Sequence, residues 1–402
     1  MKKIILLALV LIFSVLEGSA QITSIGHRTV TFNDATRTGG YGSGGGAGRQ
    51  IQTEIYYPSS AAADGDSTTF AAGQYPIIIF GHGFVMGWSS YDDIWKDLVP
   101  QGYIICFPRT EGSTSPNHTD FGKDLALIQS KMLGLNAIST NAFFNKMINK
   151  TAIMGHSMGG GSAFLACSGN TAPTTMVTLA AANTNPSSIV AAQQVTIPTL
   201  VIAGQNDCVA PPPANQDSMY LKTAASCKAE ITIKGAGHCG FASQNTACYF
   251  GQGTCSPQPT ISATLQQTTA SVYYSYWLKY WLKGDCQSWN NFLDSANNST
   301  AITKKIGCNV TCGATTGINK NGNIAGITIA PNPVQNSLHV TFDKQENMSI
   351  EIYDVLGRKA DALYTNNESE LTIDVSAYGK GIYFMVIKNA EAQTKIIKFI
   401  KE

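Results

Sequence analysis

The stretch NKTAIMGHSMGGGSAFLAC, residues 149–167, decides how the chain is read. A short apolar run ends on Gly155, and small residues with helical character follow Gly159. Gly155-His156-Ser157-Met158-Gly159 fits G-x-S-x-G, in which a serine stands on a strained strand-to-helix turn. Glycines flank it because larger side chains there would collide with neighbouring backbone. Five residues alone are weak evidence. A strand before them and a helix after them are the context the motif needs, and the sequence predicts both. Ser157 is therefore read as a nucleophile rather than a buried turn serine.

A serine hydroxyl needs a base within hydrogen-bond reach, and the base needs an orienting carboxylate. In folds with this elbow they follow in the order acid, then histidine, each just past a strand. Only two histidines lie downstream. His339 falls in a strand-like segment near the end of the chain and is read as a strand-face residue. His238 ends KAEITIKGAGH, after a strand and three small residues, and is taken as the base. Asp207 closes IPTLVIAGQND ahead of a proline-rich turn and is taken as the acid. Asx-type turn capping is its ordinary alternative. Asp217 is the nearest rival, but its segment is predicted to be helical with Asp217 facing solvent. The oxyanion hole is assigned to the backbone amides of Met158 and Phe84, the latter in the loop after IIIFGHG. Phe84 and Trp88 are the expected substrate-lining aromatics. His82 is expected to pack and hydrogen-bond locally, shaping the turn.

Around this centre, QYPIIIFGHG, QGYIICFPRT, TTMVTLAAA and the segments ending at Asp207 and His238 are compact and continuously apolar. That is the pattern of strands buried on both faces of a mostly parallel sheet. DFGKDLALIQSKMLGLNAI and TLQQTTASVYYSYWLKYWLKGD have helical length and amphipathic spacing. Their alternation predicts an α/β fold, an open, mostly parallel sheet with flanking helices. TGGYGSGGGAGRQ lacks the Lys-Ser/Thr ending of a phosphate loop and leads into a strand, so it is read as a flexible loop between strands. Beyond it all, residues 324–402 hold short alternating apolar runs at regular spacing, predicting a small all-β immunoglobulin-like sandwich. The expected organisation is a signal peptide at 1–20, a catalytic domain at 21–308, a polar linker at 309–323 and a terminal domain at 324–402.

The 402 residues are 44% hydrophobic and 13% charged, with a net charge of +1. No basic block points to nucleic acid. Two lysines, an apolar run from Ile4 to Leu16 and small residues up to Ala20 make a secretory signal peptide. The run is too short for the ~20 residues that span a bilayer, and no other segment comes close, so no transmembrane segment is expected. All ten cysteines lie between Cys106 and Cys312. Export permits disulfides, and metal binding is the weaker reading because no histidine lies near the close pairs. Residues 240–259 read as a long loop bordering the pocket, pinched into a hairpin by Cys248 and Cys255. No metal or cofactor is called for.

These residues resemble the secreted α/β hydrolases of the dienelactone-hydrolase, cutinase and polyester (PET) hydrolase group, over residues 23–308. The resemblance is carried by GYG and IYYP near the start, FGHGF at 80–84, MGHSMGGG at 154–161, AGQNDCVAPP at 203–212 and GAGH at 235–238. It implies an ester substrate, small or polymeric, cleaved through an acyl-enzyme. Family members often carry a disulfide tying the acid loop to the base loop, which implies a Cys208–Cys239 pair here. The chain departs from polyester hydrolases in having His82-Gly83-Phe84 where they usually have Pro-Gly-aromatic, and in lacking their tryptophan after the elbow or near the acid.

IAPNPVQNSLHV, IEIYDVLGR, IDVSAYGKGIYFMVI and TKIIKFIKE resemble a different family, the type A sorting domain of the Bacteroidetes type IX secretion system. That implies the secretion machinery as a partner, and release or surface attachment after the domain is removed. Two other functions compete with the esterase. A peptidase on this scaffold uses the same triad but usually adds a propeller or large lid, for which the chain has no room. A non-catalytic binding module conflicts with an intact serine, aspartate and histidine.

Overall fold

The computed structural model describes residues 24–61, 70–243, 246–308, 310, 326–343, 345–354, 358–389 and 394–402. The expected signal peptide and all but residue 310 of the expected linker lie outside them. The chain divides into two compact units, Met1–Thr311 and Cys312–Glu402.

The first unit is built on a ten-stranded sheet. Its strands are β1 (Ser24–Asp34), β2 (Gly40–Tyr41), β3 (Arg49–Ser59), β4 (Tyr75–Gly81), β5 (Ile104–Pro108), β6 (Met147–His156), β7 (Thr175–Leu179), β8 (Thr199–Gly204), β9 (Cys227–Ile233) and β10 (Ile302–Cys308). They are ordered β1-β3-β5-β4-β6-β7-β8-β9-β10, with the short β2 alongside β3. Neighbours from β5 through β9 run parallel, as do β2 and β3, whereas β1–β3, β3–β5 and β9–β10 are antiparallel. Every residue of β4, β5, β7 and β8 is buried. Covered on both faces, such strands have no solvent side on which polar residues could alternate.

The helices are α1 (Asp92–Leu98), α2 (His118–Leu135), α3 (Met158–Cys167), α4 (Ser188–Ala192), α5 (Gln216–Lys222), α6 (Thr246–Gln252), α7 (Ala263–Lys283) and α8 (Cys286–Asn298). Local chemistry sets their ends. The Asn117 side chain caps α2 by accepting from the Asp120 amide. Ser262 caps α7, which stops at Gly284 in the left-handed region with φ of 70°. Buried Trp277 of α7 donates its indole N–H to Thr175 Oγ1 at 2.7 Å, seating the helix on β7.

The glycine-rich segment is more ordered than a flexible loop. Gly40 and Tyr41 pair with Gln50 and Ile51, and the Gln50 side-chain Nε2 donates to the carbonyls of Gly46 and Gly48. At its two ends, Arg37 and Arg49 converge on the fully buried Asp124 of α2, which also accepts from Thr110 Oγ1 at 2.7 Å. Polar side chains rather than apolar burial hold it, which is why hydropathy gives no sign of its order.

The second unit holds β11 (Ile327–Ala330), β12 (Ser337–Phe342), β13 (Met348–Asp354), β14 (Lys359–Thr365), β15 (Glu370–Asp374), β16 (Gly381–Asn389) and β17 (Thr394–Lys401). They form antiparallel sheets β11-β12-β15 and β14-β13-β16-β17. Leu338, Val340 and Phe342 alternate inward from β12 into a core with Ile350, Met385, Ile387 and Phe399. His339, between two inward residues, faces outward and bonds Thr372, as expected of a strand-face residue.

Candidate active site

Strands β6, β8 and β9 run parallel and end at the same edge of the sheet, with β7 between β6 and β8. At the end of β6 the chain turns so sharply into α3 that Ser157 has φ of 54° and ψ of −120°. Backbone hydrogen bonds fix this strained conformation: Ser157 N–H donates to Leu179 C=O, while Ser157 C=O accepts from Gly161 and Ala182. The glycines allow it sterically. A Cβ on Gly155 would lie 2.4 Å from the Gly159 backbone, and one on Gly159 would lie 2.1 Å from the Gly81 carbonyl. Three backbone segments therefore meet at contact distance beneath the serine.

His238 stands in the turn after β9, and its Nε2 is 2.8 Å from Ser157 Oγ. Its Nδ1 is 2.6 Å from Asp207 Oδ2. The other Asp207 oxygen accepts from the amides of Val209 and Ala210 at 2.9 and 2.8 Å. Four hydrogen bonds thus link two backbone amides, through Asp207 and His238, to the serine hydroxyl. All three side chains are buried, Ser157 being the most accessible at 7%. Asp217 instead lies on α5, half-buried and paired with Lys305 at 3.1 Å, so it does not simply face solvent.

Met158 is the buried first residue of α3, and Phe84 sits in the turn after β4 with half its surface exposed. That turn is held by Met86 N–H donating to Gly83 C=O. His82 is buried with its ring nitrogens 2.9 Å from the carbonyls of Gly83 and Thr110, a local turn-shaping role as expected. Trp88 follows in the 3-10 turn Trp88–Tyr91. It packs among His27, Tyr56 and Trp95 and lines a cleft of about 320 Å³ with Tyr41, Met86 and Arg109, a cleft to which no triad residue contributes.

Residues 18–312 match the family described as PET hydrolase-like. The chain belongs to that family. A bis(hydroxyethyl) terephthalate hydrolase of Streptomyces coelicolor is 24% identical over 232 residues, covering 58% of this chain and 62% of that relative's length. Residues 328–402 match the secretion system C-terminal sorting domain, which marks the chain for secretion or cell-surface attachment. Among the described residues, no helix is long and apolar enough to cross a membrane.

The disulfides of this PET hydrolase-like domain differ from the expected ones. Cys208 and Cys239 do not pair with each other, nor do Cys248 and Cys255. Cys208 bonds Cys255, Cys239 bonds Cys248, and Cys227 bonds Cys308. Residues 240–259 are not simply a loop: α6 forms within them, and its Gln252 accepts from Cys239 N–H at 2.8 Å. Gln266 of α7 grips Gly237 from both sides, accepting from its amide at 3.0 Å and donating to its carbonyl at 2.8 Å. Both glutamines are buried. No spacing in the sequence distinguishes them from surface glutamines. The sequence likewise gives no sign of roles for Tyr91 and His156, behind the serine, although His156 lies within the motif itself.

Proposed function

We propose that the PET hydrolase-like domain is a serine hydrolase that cleaves carboxylic esters. The observation that carries this reading is the single imidazole of His238 within hydrogen-bond distance of both Ser157 Oγ and Asp207 Oδ2. Ser157 Oγ attacks the ester carbonyl while His238 Nε2 takes its proton. Asp207, its second oxygen held by two amides, keeps the proton of the neutral ring on Nδ1 and stabilises the imidazolium. The amides of Met158 and Phe84 donate to the carbonyl oxygen as it becomes an oxyanion. His238 then protonates the leaving alcohol. A water then attacks the acyl carbonyl as His238 takes its proton, and the acid leaves as His238 returns that proton to Ser157 Oγ.

Family membership and the terephthalate-ester hydrolase relative support esters over amides and bring aromatic diesters forward as substrates. The half-exposed Phe84 ring, in the turn after β4, offers such an acyl group an aromatic face. The sorting domain supports the type IX secretion machinery as the partner on the way out.

A fluorophosphonate probe, followed by sequencing of the labelled peptide, tests the reading. Label on Ser157 that is lost in His238→Ala, with hydrolysis of a short nitrophenyl ester lost in Ser157→Ala, is the expected result. A folded protein that takes no label would overturn it.

A further inference from the structure

Directly behind Ser157, the His156 ring makes two buried hydrogen bonds. Its Nε2 is 3.1 Å from the backbone carbonyl of His238, and its Nδ1 is 2.9 Å from Tyr91 Oη. Tyr91 Oη is in turn 2.8 Å from Gly83 N. Neither His156 nor Tyr91 has any exposed surface. The bonds have one consistent direction. A carbonyl can only accept, so Nε2 carries the ring hydrogen; the bare Nδ1 of a neutral ring then accepts from the tyrosine hydroxyl. The tyrosine oxygen accepts from Gly83 N–H. Met86 Sδ also lies 3.3 Å from Tyr91 Oη, but a thioether is the weaker acceptor.

The ionisable groups facing this ring are Tyr91 on one side and His238, 4.9 Å away between ring centres, on the other; Phe241 closes a third side. Burial, reinforced by the neighbouring His238, holds the His156 pKa far below its ordinary value. Burial pushes that of Tyr91 up. Both groups therefore stay neutral, and the hydrogens keep their order. Gly83 leaves the space the connection occupies: a Cβ there would lie 3.1 Å from Tyr91 Oη and 3.3 Å from His156 Nδ1.

We propose that Tyr91 and His156 are positioning residues for the proposed hydrolase, forming a neutral, directed relay that ties the oxyanion loop at Gly83 to the backbone of His238. This rests on the reading of Ser157 and His238 given above. The two loops that must hold the oxyanion and the imidazole come from different strands, β4 and β9. The relay is a covalently independent strut between them, passing under the serine. A neutral strut also spares the imidazolium formed at His238 a second positive charge nearby, which a protonated ring would place there.

The test uses the full chain with 15N-labelled histidine and the Tyr91→Phe, His156→Leu and His156→Gln variants. Imidazole NMR is expected to find His156 neutral with its hydrogen on Nε2 from about pH 5 to about pH 9. Tyr91→Phe and His156→Leu are each expected to lower kcat on a short nitrophenyl ester about tenfold with KM within about twofold, because the loops shift while the binding surface stays. The double variant should be no worse than the poorer single one, since both break the same connection. Glutamine at 156, with one donor and one acceptor, should recover part of the loss. A His156 that titrates in that range, a hydrogen on Nδ1, or losses that simply add in the double variant would each overturn the relay. Tyr91→Phe removes one oxygen, so the result does not depend on the bulkier change folding. Absence of fluorophosphonate label in the unmodified protein would overturn the hydrolase reading instead, and the NMR tautomer reports separately.

Discussion

Asp207 and His238 follow different strands, yet the residue after each is disulfide-bonded within or just beyond the same short helix. Cys208 reaches Cys255 just beyond α6, and Cys239 reaches Cys248 within it. The acid loop and the base loop are thus joined not to each other but through a common helical strap, to which Gln252 adds a hydrogen bond at Cys239 N–H.

A non-reduced peptide map should contain the cross-links 208–255, 239–248 and 227–308. Replacing Cys208 and Cys255 by serine frees a span of 47 residues. The chain-entropy cost is about 4 kcal/mol, against about 2–3 kcal/mol for the nine-residue span of the 239–248 bridge. Denaturant unfolding without reductant measures both. If the strap positions the loops, losing the smaller bridge should lower kcat on a nitrophenyl ester by more than its stability cost suggests.

Asp207→Asn keeps the shape of the acid but removes the charge that orients His238. Its expected effect is a fall in kcat of about 10⁴-fold with little change in KM. Hydrolysis of a soluble nitrophenyl ester measures this, and an Asp207→Asn protein within tenfold of the original would remove Asp207 from the proposed triad.

Asp124 has no exposed surface and accepts from Arg37, Arg49 and Thr110. Asp124→Ala takes a charged acceptor from Arg49, which keeps Glu111, and from Arg37, which keeps Asp34 and Asp120, so a loss of about 1.5–3 kcal/mol is expected in denaturant unfolding. Since these bonds hold the glycine-rich segment, proteolysis of the variant should begin within residues 37–49.

The Glu230 carboxyl is pushed up to about 7, by burial first and then by the neighbouring Asp217, with Lys305 opposing. A carboxyl raised above its unfolded value near 4.5 contributes stability below that value, and the contribution fades as pH rises through 7. Glu230→Gln is neutral throughout. Its Tm relative to the original protein should therefore be higher at about pH 8 than at about pH 5. A difference that does not change between the two would place the ionised carboxylate at no disadvantage in the fold.

Much of the site can be read from the sequence because its residues stand at the ends of buried strands, and each such strand is announced by an unbroken apolar run. That places Ser157 after β6, Asp207 after β8 and His238 after β9, and the sharp turn at Ser157 leaves its mark in the flanking glycines. Disulfide pairing left no comparable trace. It depends on how residues 240–259 travel in space, and a seven-residue, largely exposed helix such as α6 is too short to display an apolar stripe. Gln252, Gln266, Tyr91 and His156 were hidden for another reason. Each acts through a backbone group of a residue far away in sequence, and no side-chain pattern encodes which distant carbonyl or amide a buried polar group will meet.

The Cys227–Cys308 bond joins the last register pair of β9 and the edge strand β10, at the point where the chain leaves the sheet. An antiparallel edge strand pulled from its end peels one rung at a time, like a zipper, rather than shearing as a block. Here the rung that must open first is covalent. Tension applied to the chain after Cys308 is therefore handed through that bond to Cys227 of β9, and the edge strand is spared from being peeled off by its own end.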